Sequence, residues 1–326
     1  MEQKSLIVII TYNSESFIER CLESVAAQNY SQWFLLVADN HSEDHTVEKI
    51  KQFRNSTPQI SPHNFKMLKM RKNLGFSGGI KKACFGYMGQ RLKSFSSIVF
   101  LNPDMYLEPE ALGQLTGPLE QSPDIGVCGG LILDYEGQSI QHLGGLISAN
   151  FITTHIGADK SYGQLRDEYK EKTGHVLDTV KDVNYVTGAM LATRARLFAG
   201  LGGFDTGYRP AYFEELDYCL KAARKGYRVV VNPLAIARHK QAATLEKFSS
   251  NFYSLYHKNR LRCAVINARL PYRDFTAAEI KWARHQASPD QRKALASAYM
   301  KNLLLLTLNL MVRIKNHFIL NRLKLK

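Results

Sequence analysis

Leu6-Ile7-Val8-Ile9-Ile10-Thr11-Tyr12-Asn13-Ser14 is the stretch from which the fold is read: a short apolar run, mostly β-branched, ending directly in a polar cluster. Such a run reads as a strand buried on both faces, and Thr-Tyr-Asn-Ser is turn and helix-cap chemistry. Helical spacing follows at Phe17, Ile18, Cys21, Leu22 and Val25. The unit then repeats. Trp33–Ala38 is a strand that stops at Asp39-Asn40-His41-Ser42, and Thr46–Phe53 reads as a helix. Phe65–Met70 is a third strand, followed by Asn73-Leu74-Gly75-Phe76-Ser77-Gly78-Gly79 and a helix over about Ile80–Gln90. Ile98–Leu101 is a fourth strand, ending in Asn102-Pro103-Asp104. This alternation predicts an α/β fold with a mostly parallel, Rossmann-like sheet and helices on both faces. Ligands in such sheets sit at the carboxyl ends of strands. The clusters Thr11–Asn13, Asp39–Asn40 and Asn102–Asp104 are therefore expected in one crevice.

Beyond Gly126 the pattern changes. Val127–Leu133, Gln141–Leu146, Phe151–Ile156 and Val183–Thr193 read as strands, and Gly157–Gly174 as a polar loop. Gly202-Gly203-Phe204-Asp205 is a loop before a helix that opens Tyr212-Phe213-Glu214-Glu215-Leu216-Asp217 and is capped near Gly226. Val229–Val231 is a strand, with Ala237-Arg238-His239 close behind.

The chain has 326 residues, 45% of them apolar and 22% charged, which is the composition of a folded protein. Its net charge of +14 is uneven: residues 240–326 hold 17 basic and 4 acidic residues, while residues 1–239 are almost neutral. A basic nucleic-acid-binding core is therefore not expected. A local anionic partner for the C-terminal part fits better. The five cysteines are scattered, without a CxxC pair, which speaks against a disulfide framework or zinc module and for a reducing compartment. The apolar runs at Leu6–Ile10 and Leu303–Val312 fall short of the roughly 20 residues of a membrane span. The expectation is a cytoplasmic protein.

No GxxxxGK[ST] loop, GxGxxG after the first strand, GxSxG elbow or HExxH is present. What remains is a set of acids. Asp39, at a strand end, can hold a base edge or a ribose hydroxyl, or simply cap a turn. Asp104 can ligate a divalent ion whose other ligands are substrate phosphates, or sit in an Asn-Pro-Asp turn. Glu214, Glu215 and Asp217 crowd three acids into four residues behind the apolar Tyr212-Phe213. Mutual repulsion and partial burial would raise a carboxyl toward the range of a general base. His239 is a ligand only if it faces Asp104.

Together these stations resemble the inverting family 2 glycosyltransferases of glycosyltransferase-A fold, in their bacterial rhamnosyltransferase-like branch. The motifs are Ile7–Asn13, Ala38-Asp39-Asn40-x-Ser42, Asn73–Gly79, Leu101-Asn102-Pro103-Asp104, Gly188-Ala189-Met190-Leu191, Gly202–Asp205, Glu214–Asp217 and His239, in the family's order over roughly residues 5–262. The resemblance implies a catalytic domain over 1–239, divided into a nucleotide-binding half (1–125) and an acceptor half (126–239), followed by a basic, mainly helical extension over 240–326. It implies that Thr11, Tyr12, Asn13, Asp39, Asn40, Asn73, Gly75, Gly78, Gly79, Asn102 and Gly188 border a nucleotide-diphosphate sugar. Asp104 matches the last acid of the family's DxD motif, with Asn102 in place of the first, and together with His239 would hold Mg2+ or Mn2+. Glu215 stands where the family's base is usually Asp, with Glu214 and Asp217 as alternatives.

The activity implied is single, non-processive hexosyl or rhamnosyl transfer from a UDP- or dTDP-sugar to a saccharide or lipid-linked acceptor in cell-surface polysaccharide synthesis. The QxxRW motif of processive synthases is absent. Rival readings are a metal-dependent nucleotidyltransferase, which would need a basic glycine-rich N-terminal loop, and a basic adaptor binding nucleic acid or membrane. Residues 251–268 are expected to close over the donor. Met300, Leu303, Leu304, Leu310, Met311, Ile314 and Phe318 follow helical spacing among Lys301, Arg313, Lys315, Arg322, Lys324 and Lys326. They fit either a helix packed on the body or a basic amphipathic helix on an anionic membrane surface.

Overall fold

The computed structural model describes residues 5–174, 177–240, 249–268 and 273–322. The N-terminal half runs β1 (Ser5–Thr11), α1 (Ile18–Ala26), β2 (Trp33–Asp39), α2 (Thr46–Ser56), β3 (Phe65–Lys69), α3 (Gly75–Lys81), β4 (Ser97–Leu101), β5 (Met105–Leu107) and α4 (Ala111–Gln121). Next come β6 (Ile125–Asp134), β7 (Ile140–His142), β8 (Gly145–Ile147), β9 (Thr153–His155), α5 (Tyr162–Thr173), β10 (Lys181–Asp182), β11 (Met190–Arg194), α6 (Ala195–Leu201), α7 (Glu214–Arg224) and β12 (Arg228–His239). Helices α8 (Ser250–Asn267), α9 (Arg273–His285), α10 (Pro289–Leu304) and α11 (Leu306–Arg322) complete the described chain.

The main sheet has the order β10-β12-β6-β11-β4-β1-β2-β3, with β5 on β12 and β7 on β6. Every residue of β1 is buried, and alternate side chains enter different cores. Leu6, Val8 and Ile10 meet α3, α6, α7 and α8 through residues such as Ile80, Phe198, Leu216 and Cys263. Ile7 and Ile9 meet α1, α2 and α4 through Leu22, Ile50 and Leu115. Burial on both faces is why the strand reads as an unbroken apolar run. Helix α8 shares the first core, so the body does not end at residue 239.

The register fixes the working edge. Thr11 pairs with Asp39 and Ile9 with Leu101 in parallel. Strand β11 is antiparallel to both β4 and β6, so its first residue, Met190, lies beside Leu101. Strand β12 is parallel to β6, which brings His239 to the same edge. The sheet is parallel from β3 through β4 and mixed beyond, because β11 enters antiparallel.

Several local expectations change. Gly157–Gly174 is not all loop: α5 occupies most of it, with a Ser161–Gln164 capping box and a left-handed Gly174 at its end. None of its residues is buried, so no apolar period marks it. The helix expected from Ile80 starts at Gly75, because the glycines let it close on β1. A Cβ at Gly79 would lie 3.0 Å from Cγ2 of Ile10. The strand expected over Val183–Thr193 shortens to β11, since Gly188 turns beneath the Phe76 ring. Helix α7 begins at Glu214 and not Tyr212, because Tyr212 and Phe213 are both left-handed, with φ of 77° and 78°. Strand β12 is continuous, with a register break between Asn232 and Ile236 beside Pro233. The apolar period from Met300 to Phe318 spans two helices that meet at 70°.

Candidate active site

At the end of β1 the Thr11 hydroxyl donates to Asp39 Oδ1 at 3.1 Å, and the Ser42 N–H donates to Asp39 Oδ2 at 3.2 Å. Asp39 is fully buried. Asn13, left-handed at φ 47°, donates its N–H to Ser42 Oγ, while its Oδ1 accepts from the Glu43 N–H. The Asn40 side chain donates to Asn73 Oδ1 and Gly75 O and accepts from the Leu74 N–H. Loops 11–14, 39–46 and 73–75 therefore form one laced floor, on which Tyr12 and Asn13 are exposed. Gly75 lies beside the Arg209–Pro210 segment, and a Cβ on Gly78 would meet the Arg209 guanidinium at 3.0 Å.

A second station lies across β4. The Asn102 N–H donates to Ala189 O, and the Met105 N–H closes the Asn102–Asp104 turn on Asn102 O. His239 pairs with Met105 in the ladder, and its Nε2 is 3.2 Å from Asp104 Oδ1. Gln141 fixes the ring. Its Nε2 donates to His239 O, so its Oε1 faces His239 Nδ1, at 3.0 Å, as acceptor. Nδ1 therefore carries a proton. A neutral ring then points the Nε2 lone pair at a carboxylate oxygen, an arrangement favoured by a proton on Nε2 or by a cation shared between the two. A carboxylate and an imidazole nitrogen set side by side are donors that could hold a divalent ion such as Mg2+ or Mn2+. Among the described residues no group of three or more His, Cys, Asp or Glu converges as a metal site. An ion held by this pair would take its remaining ligands from elsewhere, such as diphosphate oxygens.

The third station is the start of α7. Asn259 of α8 donates from one amide nitrogen to the carbonyls of Tyr208, Ala211 and Tyr212. This clamp holds the two left-handed residues that aim Glu214 and Glu215, a conformation costing about 1–3 kcal/mol per residue. Tyr212 and Phe213 also pack edge-on against Phe252 and Tyr256. Glu214 is buried, and its Oε2 has no hydrogen-bond partner among the described residues. Burial, then the charge of Glu215, hold its carboxyl well above the ordinary range. Burial pushes Glu215 up to about 7, against the pull of the backbone N–H groups at the helix start. A Cβ on Gly188 would stand 3.7 Å from Glu215 Cβ, which puts this acid at the same sheet edge as Asn102.

Asp217 does not join them. It is fully buried, 2.6 Å from Lys221 Nζ, and accepts from Asn267 Nδ2 at 2.7 Å. It ties α7 to α8, and its spacing two residues beyond Glu215 turns it away from the crevice. Residues 251–268 are likewise a brace behind the glutamates and not a cover over Asp39. Sequence reasoning missed Gln141 and a histidine pair, and it set Asn259, within 251–268, over the donor and not at this clamp. His142 Nε2 accepts from the Thr187 N–H at 3.2 Å, and its Nδ1 is 2.9 Å from His155 Nδ1. Burial, then His155, hold His142 neutral beneath the Gly188 turn. No spacing announces these contacts: the two histidines are 13 positions apart, and the others join residues 45 to 98 positions apart.

The sequence model of the family described as "Glycosyl transferase family 2" matches residues 6–180. The chain is similar to an N-acetylglucosaminyl-diphospho-decaprenol L-rhamnosyltransferase of Mycobacterium tuberculosis (strain CDC 1551 / Oshkosh): 23% identity over 262 residues, 78% of this chain and 81% of the relative. Among solved structures it resembles GalNAc-T7 with UDP, GalNAc and Mn2+, at TM-score 0.62 and 17% identity over 88% of this chain. The chain spans about half of that protein's length, 52%. It also resembles S. aureus TarS 1-349 in complex with UDP-GlcNAc, at TM-score 0.54 and 15% identity, covering 96% of this chain and 89% of TarS 1-349. The fold is of glycosyltransferase-A type.

Proposed function

The chain belongs to glycosyl transferase family 2, and from that premise we propose that it transfers one sugar from a UDP- or dTDP-sugar to a hydroxyl of a glycan or lipid-linked saccharide, with inversion. The observation that carries this reading is the placement of Glu215, a carboxyl raised to about 7, on the same sheet edge as the Asp104–His239 pair. A lipid-linked acceptor is suggested by the decaprenol-linked substrate in the name of the Mycobacterium tuberculosis relative.

Thr11, Asp39, Asn40 and Asn73 form the floor that receives the nucleoside, and Tyr12 offers it an exposed ring. Asp104 and His239 would hold a divalent cation. When bound, it supplies positive charge to the diphosphate. Glu215 accepts the proton of the acceptor hydroxyl as that oxygen bonds to the anomeric carbon. The bond from that carbon to the diphosphate oxygen breaks, and the nucleoside diphosphate leaves with the electron pair. Attack opposite the leaving group inverts the configuration. Glu214, kept protonated, places no second negative charge beside the base.

Incubation with a panel of nucleotide sugars, Mg2+ or Mn2+ and a prenyl-diphosphate-linked saccharide tests the proposal. Nucleoside diphosphate release coupled to acceptor glycosylation is expected. Pyrophosphate release would identify nucleotidyl transfer instead, and salt-sensitive nucleic-acid binding without turnover would identify an adaptor.

A further inference from the structure

The last two helices leave large apolar side chains exposed on their outward side. Asn302, Asn309 and Asn316, seven residues apart, lie on the body side and are buried. Asn302 donates to Lys258 O, Asn309 donates to Asn302 Oδ1 and accepts from the Arg262 guanidinium, and Arg313 donates to Val265 O and Ala268 O. The outward side carries Met300, Leu303, Leu304, Leu308, Met311 and Ile314, all exposed. Leu304, beside the bend between α10 and α11, is 83% exposed, while Asn309 is 0% exposed. A helix of a water-soluble body turns its apolar stripe inward. On the body side α10 buries Ala294, Leu295 and Ala298 beside Asn302, α11 meets the body through Asn309 and Arg313, and the large exposed apolar residues are left outside, which marks an interaction surface.

We propose that this ridge is a membrane-docking surface that sinks the bend between α10 and α11 into an anionic lipid bilayer. The charge selects the occupant. Residues 240–326 carry 17 basic against 4 acidic residues, and Lys293, Lys301 and Lys315 are exposed on the two helices that bear the ridge. Lys324 and Lys326 lie outside the described residues. A second copy would bring the same positive field against itself, whereas an anionic leaflet attracts it. No single described helix is long and apolar enough to cross a membrane, and the two helices that together have that length and composition meet at a 70° bend and not as a straight rod. The geometry is therefore that of a segment lying in the interface. The inference rests on the helix surfaces alone and does not depend on the reaction assigned above.

The test is sedimentation of the full chain with vesicles of phosphatidylcholine mixed with phosphatidylglycerol, against pure phosphatidylcholine. Binding to the anionic vesicles is expected, weakened by salt. The triple variant Leu304→Glu/Leu308→Glu/Met311→Glu should bind at least about tenfold less, with an unchanged circular dichroism spectrum. Equal binding by the variant, or no binding by the native chain, overturns the proposal. So does a native dimer in ultracentrifugation that the variant dissociates without any vesicle binding, because the ridge would then be a contact between copies. A single-site probe guards against a misfolded variant. All five cysteines are buried, so Leu304→Cys can be labelled selectively with an environment-sensitive dye. A blue shift of its emission on adding anionic vesicles is expected, and an unmoved spectrum refutes insertion.

Discussion

The two sides of the crevice are built on opposite principles. On the side proposed to receive the nucleotide, Thr11, Asp39, Asn40 and Asn73 are bonded to one another and to the backbone of neighbouring turns, so their charge and dipoles are already satisfied. On the glutamate side, two acids are held at a helix start, Glu214 Oε2 is buried without a partner among the described residues, and two residues before them are left-handed. The first side is arranged to bind with little reorganisation. The second stores electrostatic cost, and that cost appears as raised carboxyl pKa values. A binding floor tolerates loss of one bond, whereas a base does not tolerate loss of its proton-accepting oxygen.

The largest effect that would sharpen this contrast is expected at Glu215. Glu215→Gln keeps the shape and removes the base, and kcat should fall about 10³-fold with the melting temperature preserved. Near-native turnover would remove Glu215 from the role and erase the contrast. Asp104→Ala should cost about 10²-fold in kcat and abolish the response of turnover to added Mn2+. An unaltered metal titration would show that the Asp104–His239 pair is only a structural contact. Asn259→Ala attacks the clamp and leaves the acids in place. It unbinds three carbonyls, so a loss of about 1–3 kcal/mol in stability is expected. It should lower kcat more than it raises KM for the donor, because the floor around Asp39 does not touch it. The reverse split would mean that α8 serves the donor side after all.

The pH dependence follows from Glu215. If Glu215 is the base, as proposed, it works only when ionised, so kcat should rise with pH and level off above about 7. Below that value turnover should drop about tenfold per pH unit. Initial rates at saturating donor from pH 5.5 to 8.5 measure it, and a profile flat down to pH 5.5 would indicate an unperturbed carboxyl.

Much of the first side was legible in sequence. A strand buried on both faces announces itself as an apolar run, and its polar terminus marks the sheet edge, so the position of Thr11 and Asp39 at that edge is legible. His239 could be named but not placed, since its contact with Asp104 spans 135 positions and depends on β5 pairing with β12. The second side was half legible. The acids stand out, but Asp217 joins Lys221 and Asn267, and only packing reveals that. Asn259 and Gln141 are polar residues within ordinary-looking segments. Helix α5 lacks a buried stripe, yet Ser161, Gln164 and Gly174 were readable as its caps. In α10 and α11 the period was readable and its direction was not, because Asn302, Asn309 and Asn316 are buried while Leu304, Leu308 and Met311 are exposed.

The smallest effect concerns Glu214, and it separates stored cost from catalysis. Its carboxyl pKa is raised well above the ordinary value in the folded chain, so the folded state holds a proton that the unfolded chain releases near pH 4.5. Stability from this group is therefore present in full below about pH 4.5 and is lost as pH rises toward the folded pKa. Glu214→Gln keeps a neutral group of the same shape at every pH and removes that loss. Thermal melts of the two proteins should lie close together at pH 5. They should separate in favour of the variant at pH 8, with a gap that widens as pH rises. If the gap does not widen with pH, Glu214 is ionised through a contact that satisfies it, and the two sides of the crevice are built alike.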